Sequence, residues 1–214
     1  MARRPVVEFW YEFASTYSYL AAMRVETLAE EAGAEVRWRP FLLGPIFSAQ
    51  GWNSSPFNLY PAKGRYMWRD MERESARLGL PFLRPDPFPQ NALIAARAAL
   101  LGADRGWTPD FTKAVYRQEY GEGRSIAEAT VVGEILSRLG LDAPAILKEA
   151  QSEPNKTRLK AVGEEARSRG IFGAPTFFTE DGEMFWGNDR LEQALAWATG
   201  ERRGRRQPAS DTSI

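Results

Sequence analysis

The chain reads as an α/β protein whose two halves are separated by a large all-helical insertion. Strand signals fall near the two ends, in an apolar run over 5–13, an alternating stretch at 34–38 and two short apolar runs between 176 and 186. From Arg39 to about Glu153 such signals nearly vanish, and apolar residues recur at helical spacing between Pro and Gly breaks. The resulting order, β-α-β, then helices, then α-β-β-α, predicts a discontinuous sheet domain over 5–39 and 154–199 with an inserted helical domain over 40–153.

Pro5 to Phe13 is rich in Val and aromatics and nearly continuous in hydrophobicity, as a strand buried on both faces is. Tyr17 to Ala32 is expected to be one helix, with Tyr17, Leu20, Ala21, Val25, Leu28 and Ala32 on its apolar face and Gly33 as its stop. Ala34 to Trp38 alternates as a half-buried strand, which completes a β-α-β unit of the usual parallel, right-handed kind. The stretch from Gly44 to Tyr60 reads as a long ordered loop. Helices are predicted over Pro61–Leu78, Gln90–Leu101, Pro109–Gly121, Ile126–Leu139, Ala143–Gln151 and Pro154–Ser168. Asp181-Gly182 between two short apolar runs is a hairpin signal, and Leu191 to Ala198 closes the domain as a helix. Residues 200–214, with Arg202, Arg203, Arg205 and Arg206 ahead of small polar residues, have the composition of a disordered, solvated tail.

Composition excludes several chemistries. The 214 residues contain neither cysteine nor histidine, so the chain cannot run dithiol exchange, form a disulfide or offer the commonest metal ligands, and no metal site is expected. Any sulfur chemistry must come from a ligand. Lys plus Arg equals Asp plus Glu at 28 each, so no global field favours nucleic acid or an anionic membrane. The first apolar run is interrupted by Glu8 and Glu12, unlike a signal sequence, and no segment resembles a membrane span. The expected location is the cytoplasm.

Ser15 lies at a predicted helix start. It is open to two readings: an ordinary cap, or a hydroxyl aimed at an anion near the helix N-terminus. Asn188 and Asp189, before the last helix, carry the same ambiguity between capping and ligand binding, and Lys63 is either solvated or a partner for an anion.

Phe13-Ala14-Ser15-Thr16-Tyr17-Ser18-Tyr19-Leu20 stands where thioredoxin-like oxidoreductases carry their Cys-x-x-Cys pair, with serine in place of the reactive sulfur. Gly173-Ala174-Pro175-Thr176-Phe177-Phe178 has the form of their second landmark, a loop whose proline is usually cis. Together with Trp186-Gly187-Asn188-Asp189-Arg190 and the inserted helices, these motifs resemble the family of kappa-class glutathione transferases and 2-hydroxychromene-2-carboxylate isomerases, relatives of DsbA-type oxidoreductases. The resemblance spans roughly Val6 to Ala198 and implies a thioredoxin-like fold with a large all-helical insertion.

It also implies glutathione as cofactor, a small aromatic substrate and a homodimer. Ser15 would be the catalytic residue, donating to the glutathione thiolate. The backbone of Ala174, before Pro175, would pair with the cysteinyl unit, Asn188 and Asp189 would hold the γ-glutamyl group, and Lys63 and Asn53 would meet the glycyl end. Asn91 would orient substrate or merely cap a helix, and aromatics such as Trp52, Phe57, Tyr60, Trp68 and Phe88 would roof the site. The family activity is cis-trans isomerisation between 2-hydroxychromene-2-carboxylate and trans-o-hydroxybenzylidenepyruvate in aromatic breakdown, with conjugation by a kappa-like transferase as the alternative and a non-catalytic peptide-binding or chaperone protein as a third reading. Two departures stand out: Thr16 replaces the family proline, and Asn53 lies one residue further from Lys63 than the family spacing.

Overall fold

The computed structural model describes residues 3–200; the Arg-rich stretch that follows lies outside the described residues. Strand β1 (Val6–Tyr11) is central and runs parallel to β2 (Glu35–Pro40), with Val6 opposite Glu35 and Tyr11 opposite Pro40. On its other side β3 (Thr176–Phe178) pairs antiparallel, Phe9 opposite Phe177, and β4 (Met184–Trp186) forms the edge as the hairpin partner of β3. The order β2-β1-β3-β4 is the four-stranded mixed sheet of a thioredoxin fold.

The near-continuous apolarity of β1 has the cause expected of a central strand, since both its faces are covered. Phe9 and Tyr11 pack with Trp38 and Phe177, the Phe9 and Phe177 rings stacking at 5.4 Å. On the opposite face Trp10 meets Phe41 and Phe178 and lies under the Arg39 guanidinium at 4.4 Å. The one charge in this strand, Glu8, is neutralised by Arg169.

The expected helix over Tyr17–Ala32 is instead two, α1 (Thr16–Ala22) and α2 (Val25–Ala32). The ladder switches at Arg24, whose N–H bonds Ala21 O three residues back, and the Arg24 side chain reaches across to Glu192 at 3.0 Å and the Asn188 carbonyl at 3.4 Å. A tertiary contact thus overrides a helical pattern that the sequence carries unbroken.

The stretch expected to be a loop holds two short helices, α3 (Leu43–Ala49) and α4 (Pro56–Leu59). Leu43 and Ile46 bury the face of α3, with Gly44 and Pro45 confined to its first turn, and the Ser55 hydroxyl caps α4 ahead of Pro56 at the favoured first position. The remaining helices of the insertion are α5 (Pro61–Arg77), α6 (Leu93–Gly102), α7 (Thr108–Tyr116), α8 (Ala129–Arg138) and α9 (Ala143–Ala150), followed by α10 (Glu153–Ser168). The predicted Pro109–Gly121 helix does reach Gly121, but its last turn, Arg117–Gly121, widens into a π turn closed by Glu122 N–H to Arg117 O at 2.9 Å. The last helix, α11 (Leu191–Ala198), has the expected bounds, and Asn188–Arg190 form a separate 3-10 turn ahead of it. Among the described residues no helix is long and apolar enough to cross a membrane.

Candidate active site

The turn between β1 and α1 and the loop before β3 meet above the sheet. Ser15 caps α1, accepting from Ser18 N–H at 3.3 Å, and its hydroxyl also donates to Ala174 O at 3.0 Å. The capping reading thus holds, and the same hydroxyl bridges segments 159 residues apart. With seven residues, α1 adds little field of its own, so the hydroxyl is the element that can act on an anion here. The Ala174–Pro175 bond is cis.

Ser15 and Ala174 form the floor of a cavity of about 1120 Å³ that also takes in Asn53, Lys63 and Asn91. Ala174 N–H has no protein acceptor among the described residues, so this half-buried edge can pair with an extended peptide. Lys63 is the one cation in the cavity wall, exposed beside the Tyr60 ring at 4.9 Å with no carboxylate paired to it among the described residues. Its place depends on Gly64, where a Cβ would come within 2.3 Å of the Phe57 carbonyl oxygen and prevent α5 from closing on α4. Asn53 is exposed, and Asn91, which also lines the cavity, uses its side-chain oxygen to accept Leu93 N–H at 3.1 Å, a capping contact.

Other expected residues stand apart. Pro175 is buried behind Ala174, its carbonyl accepting from Gly187 N–H at 2.9 Å. Asn188 is buried, with its side-chain oxygen unpartnered, and Asp189 is exposed beside Arg190; neither lines the cavity, and both precede rather than begin α11. Of the aromatics expected overhead, Trp52, Phe57 and Phe88 line the wall, while Trp68 packs behind Phe88 at 4.7 Å. Phe172 and Trp186, exposed and in edge contact at 4.8 Å, complete the rim next to Ala174.

Among the wall members that sequence reading missed are Tyr17, Tyr66 and Glu12. Tyr17 donates to Asp70 at 2.9 Å, and burial, reinforced by that carboxylate, pushes its phenol well above the ordinary range. Tyr66 contributes an exposed ring. Glu12 is 6% exposed and accepts Leu43 N–H at 2.6 Å; burial raises its carboxyl to about 7, against the lowering effect of the Leu43 and Ala14 N–H groups. A lone carboxylate three residues before Ser15, in a run of aromatics, was the available signal.

Comparison with known proteins now adds to this geometry. Residues 6–196 match the model of the DSBA-like thioredoxin domain. A 2-hydroxychromene-2-carboxylate isomerase of Sphingobium xenophagum is 30% identical over 188 residues, covering 87% of this chain and 94% of the relative. Glutathione S-transferase kappa 2 of Caenorhabditis elegans is 25% identical over 90% of this chain and 91% of its own length. A solved structure of a 2-hydroxychromene-2-carboxylate isomerase superposes with a TM-score of 0.81 at 27% identity, covering 93% of this chain and 98% of that one.

Proposed function

Since the chain belongs to the DSBA-like thioredoxin family, with 2-hydroxychromene-2-carboxylate isomerases and kappa-class glutathione transferases among its relatives, we propose that it is a glutathione-dependent cis-trans isomerase of a small aromatic substrate. The observation that carries this reading is the Ser15 hydroxyl, held 3.0 Å from Ala174 O on the floor of a large aromatic-walled cavity in a protein without cysteine. The residues fit the tripeptide: Ala174 offers a free N–H and a carbonyl for its cysteinyl backbone, and Lys63 offers an unpaired cation for its glycyl carboxylate, with Asn53 beside it. Asn188 and Asp189 are assigned to the γ-glutamyl group only if the loop after β4 turns toward the cavity on binding. When bound, glutathione supplies a thiolate able to add reversibly to a conjugated double bond and so free it to rotate.

The protein's own part is to bind, orient and stabilise charge. Ser15 moves its hydrogen bond from the Ala174 carbonyl to the sulfur, favouring the ionised form by the margin of a charge-assisted over a neutral bond. Trp52, Phe57 and Phe88 bury a flat apolar substrate against that sulfur, with the exposed Phe172–Trp186 pair at the entrance. Asn91, in the cavity wall, would donate to a substrate oxygen. The activity belongs to aromatic breakdown in the cytoplasm, carried out by a homodimer.

Isomerisation of 2-hydroxychromene-2-carboxylate, followed with and without reduced glutathione, tests the reading. Activity that requires catalytic glutathione and leaves it unconsumed is the expected result, and Ser15→Ala is expected to lower turnover roughly tenfold or more. Stoichiometric loss of glutathione to a conjugate would instead support the transferase reading that the kappa-class relatives favour. No dependence on glutathione would overturn both.

A further inference from the structure

Behind the cavity wall lies a second carboxyl that the mechanism above does not use. Glu119 sits in the Arg117–Gly121 π turn with no exposed surface, and neither of its side-chain oxygens has a hydrogen-bond partner. π turns inserted in α-helices are frequent at functional positions, and this one directs a carboxyl inward against the turn that carries Glu12. Tyr120, whose hydroxyl is likewise buried and unpartnered, faces both carboxyls, and Tyr116 donates to the Glu12 backbone carbonyl at 2.8 Å. Tyr11 stands beside Tyr116, and from α3 the Leu43 N–H binds the Glu12 carboxylate. No lysine or arginine forms an ion pair with Glu12 or Glu119 among the described residues. Two carboxyls thus share an enclosed neighbourhood in which neutral hydroxyls and the backbone N–H groups of Leu43 and Ala14 surround them, and Glu12 alone of the two opens onto the cavity. Both cannot be ionised cheaply, so such a pair retains a proton that an isolated carboxylate would lose.

Every other cavity group is unsuited to accepting a proton. Lys63 is a cation, Tyr17 is already a donor to Asp70, Ser15 is a donor to Ala174, and the chain has no histidine.

We propose that Glu12, the carboxyl of the buried pair that opens onto the cavity, is the proton acceptor of this site. The inference rests on the glutathione reading. As the thiol enters, its S–H bond breaks, the electron pair stays on sulfur and an O–H bond forms on the Glu12 carboxyl. When the sulfur is released the transfer runs in reverse, so one proton shuttles between the two groups and no oxidant or reductant is needed. The Ser15 hydroxyl stabilises the charge this leaves on sulfur, a role distinct from taking the proton.

Calorimetry of glutathione binding to the full chain, in two buffers of different ionisation heat, reads the protons released, and the far-ultraviolet absorbance of the bound thiolate reads the state of the sulfur. In the wild type above neutrality, thiolate is expected to form with little release of protons to solvent. Glu12→Gln is expected either to keep the bound thiol protonated or to release a full proton for each thiolate formed. Glu119→Gln keeps a neutral side chain behind Glu12 and is expected to leave the proton count and the thiolate signal of the wild type in place; should Glu12→Gln fail to fold, a full proton released per thiolate by the wild type above neutrality overturns the proposal. Binding by Glu12→Gln with the thiolate signal and proton count of the wild type would overturn the proposal while leaving glutathione as the ligand. A lowered midpoint in Glu119→Gln would show the proton to be taken by Glu119 and would overturn the assignment to Glu12. Absence of glutathione binding to the wild type would overturn the cofactor reading itself, and this inference with it.

Discussion

At the scale of single residues, Glu12 makes a prediction that needs no ligand. Burial raises its carboxyl from the ordinary 4.5 to about 7, so between those values the folded protein holds a proton that the unfolded chain has released. Stability contributed by the protonated form is complete below that window and is lost as pH rises through it. Glu12→Gln is therefore expected to gain stability relative to the wild type as pH rises, by on the order of 1–3 kcal/mol above neutrality. Urea unfolding of both proteins at acidic and alkaline pH checks this, and a difference that does not vary with pH would contradict the assigned protonation. Ser15 and Ala174 were legible in the sequence because each sits in a short motif at the edge of a strand. Glu119 was not, because its isolation depends on a π turn, and a helix one residue wider per turn leaves no mark in apolar spacing.

At the scale of elements, the corner between α4 and α5 is the most exacting piece of backbone near the site. Gly64→Ala would push a methyl to 2.3 Å from the Phe57 carbonyl oxygen, so the two helices must part. A loss of about 1–3 kcal/mol in unfolding free energy is expected, together with weaker glutathione binding because Lys63 is carried on the same turn. Denaturant titration and calorimetry on the one variant measure both, and wild-type values in each would show that the corner does not place Lys63. Most element positions followed from punctuation: Pro61, Ala143-Pro144 and Glu153-Pro154 open helices where expected, and Asp181-Gly182 turns the hairpin. The misreadings have physical causes. The break at Arg24 is imposed by distant partners, Glu192 and Asn188, and the short helices α3 and α4 were hidden because Gly, Pro and Ser mark helix starts as well as loops.

For the whole molecule, the decisive joint is the central sheet, where chain from both ends closes around the insertion. Phe177, fully buried, stacks on Phe9 and opposes it in the ladder. Phe177→Ala is expected to cost about 3–5 kcal/mol and to weaken glutathione binding as well, since the same short strand fixes the loop bearing Ala174. Loss of stability with binding intact would show that this loop is set independently of the sheet. The thioredoxin-like fold could be read from the sequence because two paired landmarks bracket it. The cavity could not, because its wall is assembled from α3, α4, α5 and the start of α6, whose mutual packing is set by aromatic contacts far apart in the chain.

The bond from Ser15 to Ala174 carries a last consequence. A hydroxyl has one proton to give, and here it is already committed to a carbonyl, so contact with sulfur is an exchange and its worth is only the difference between two bonds. On the proposed reading, affinity for the tripeptide with its thiol protonated is then expected to be unchanged in Ser15→Ala, while the acidity of the bound thiol falls by no more than that difference.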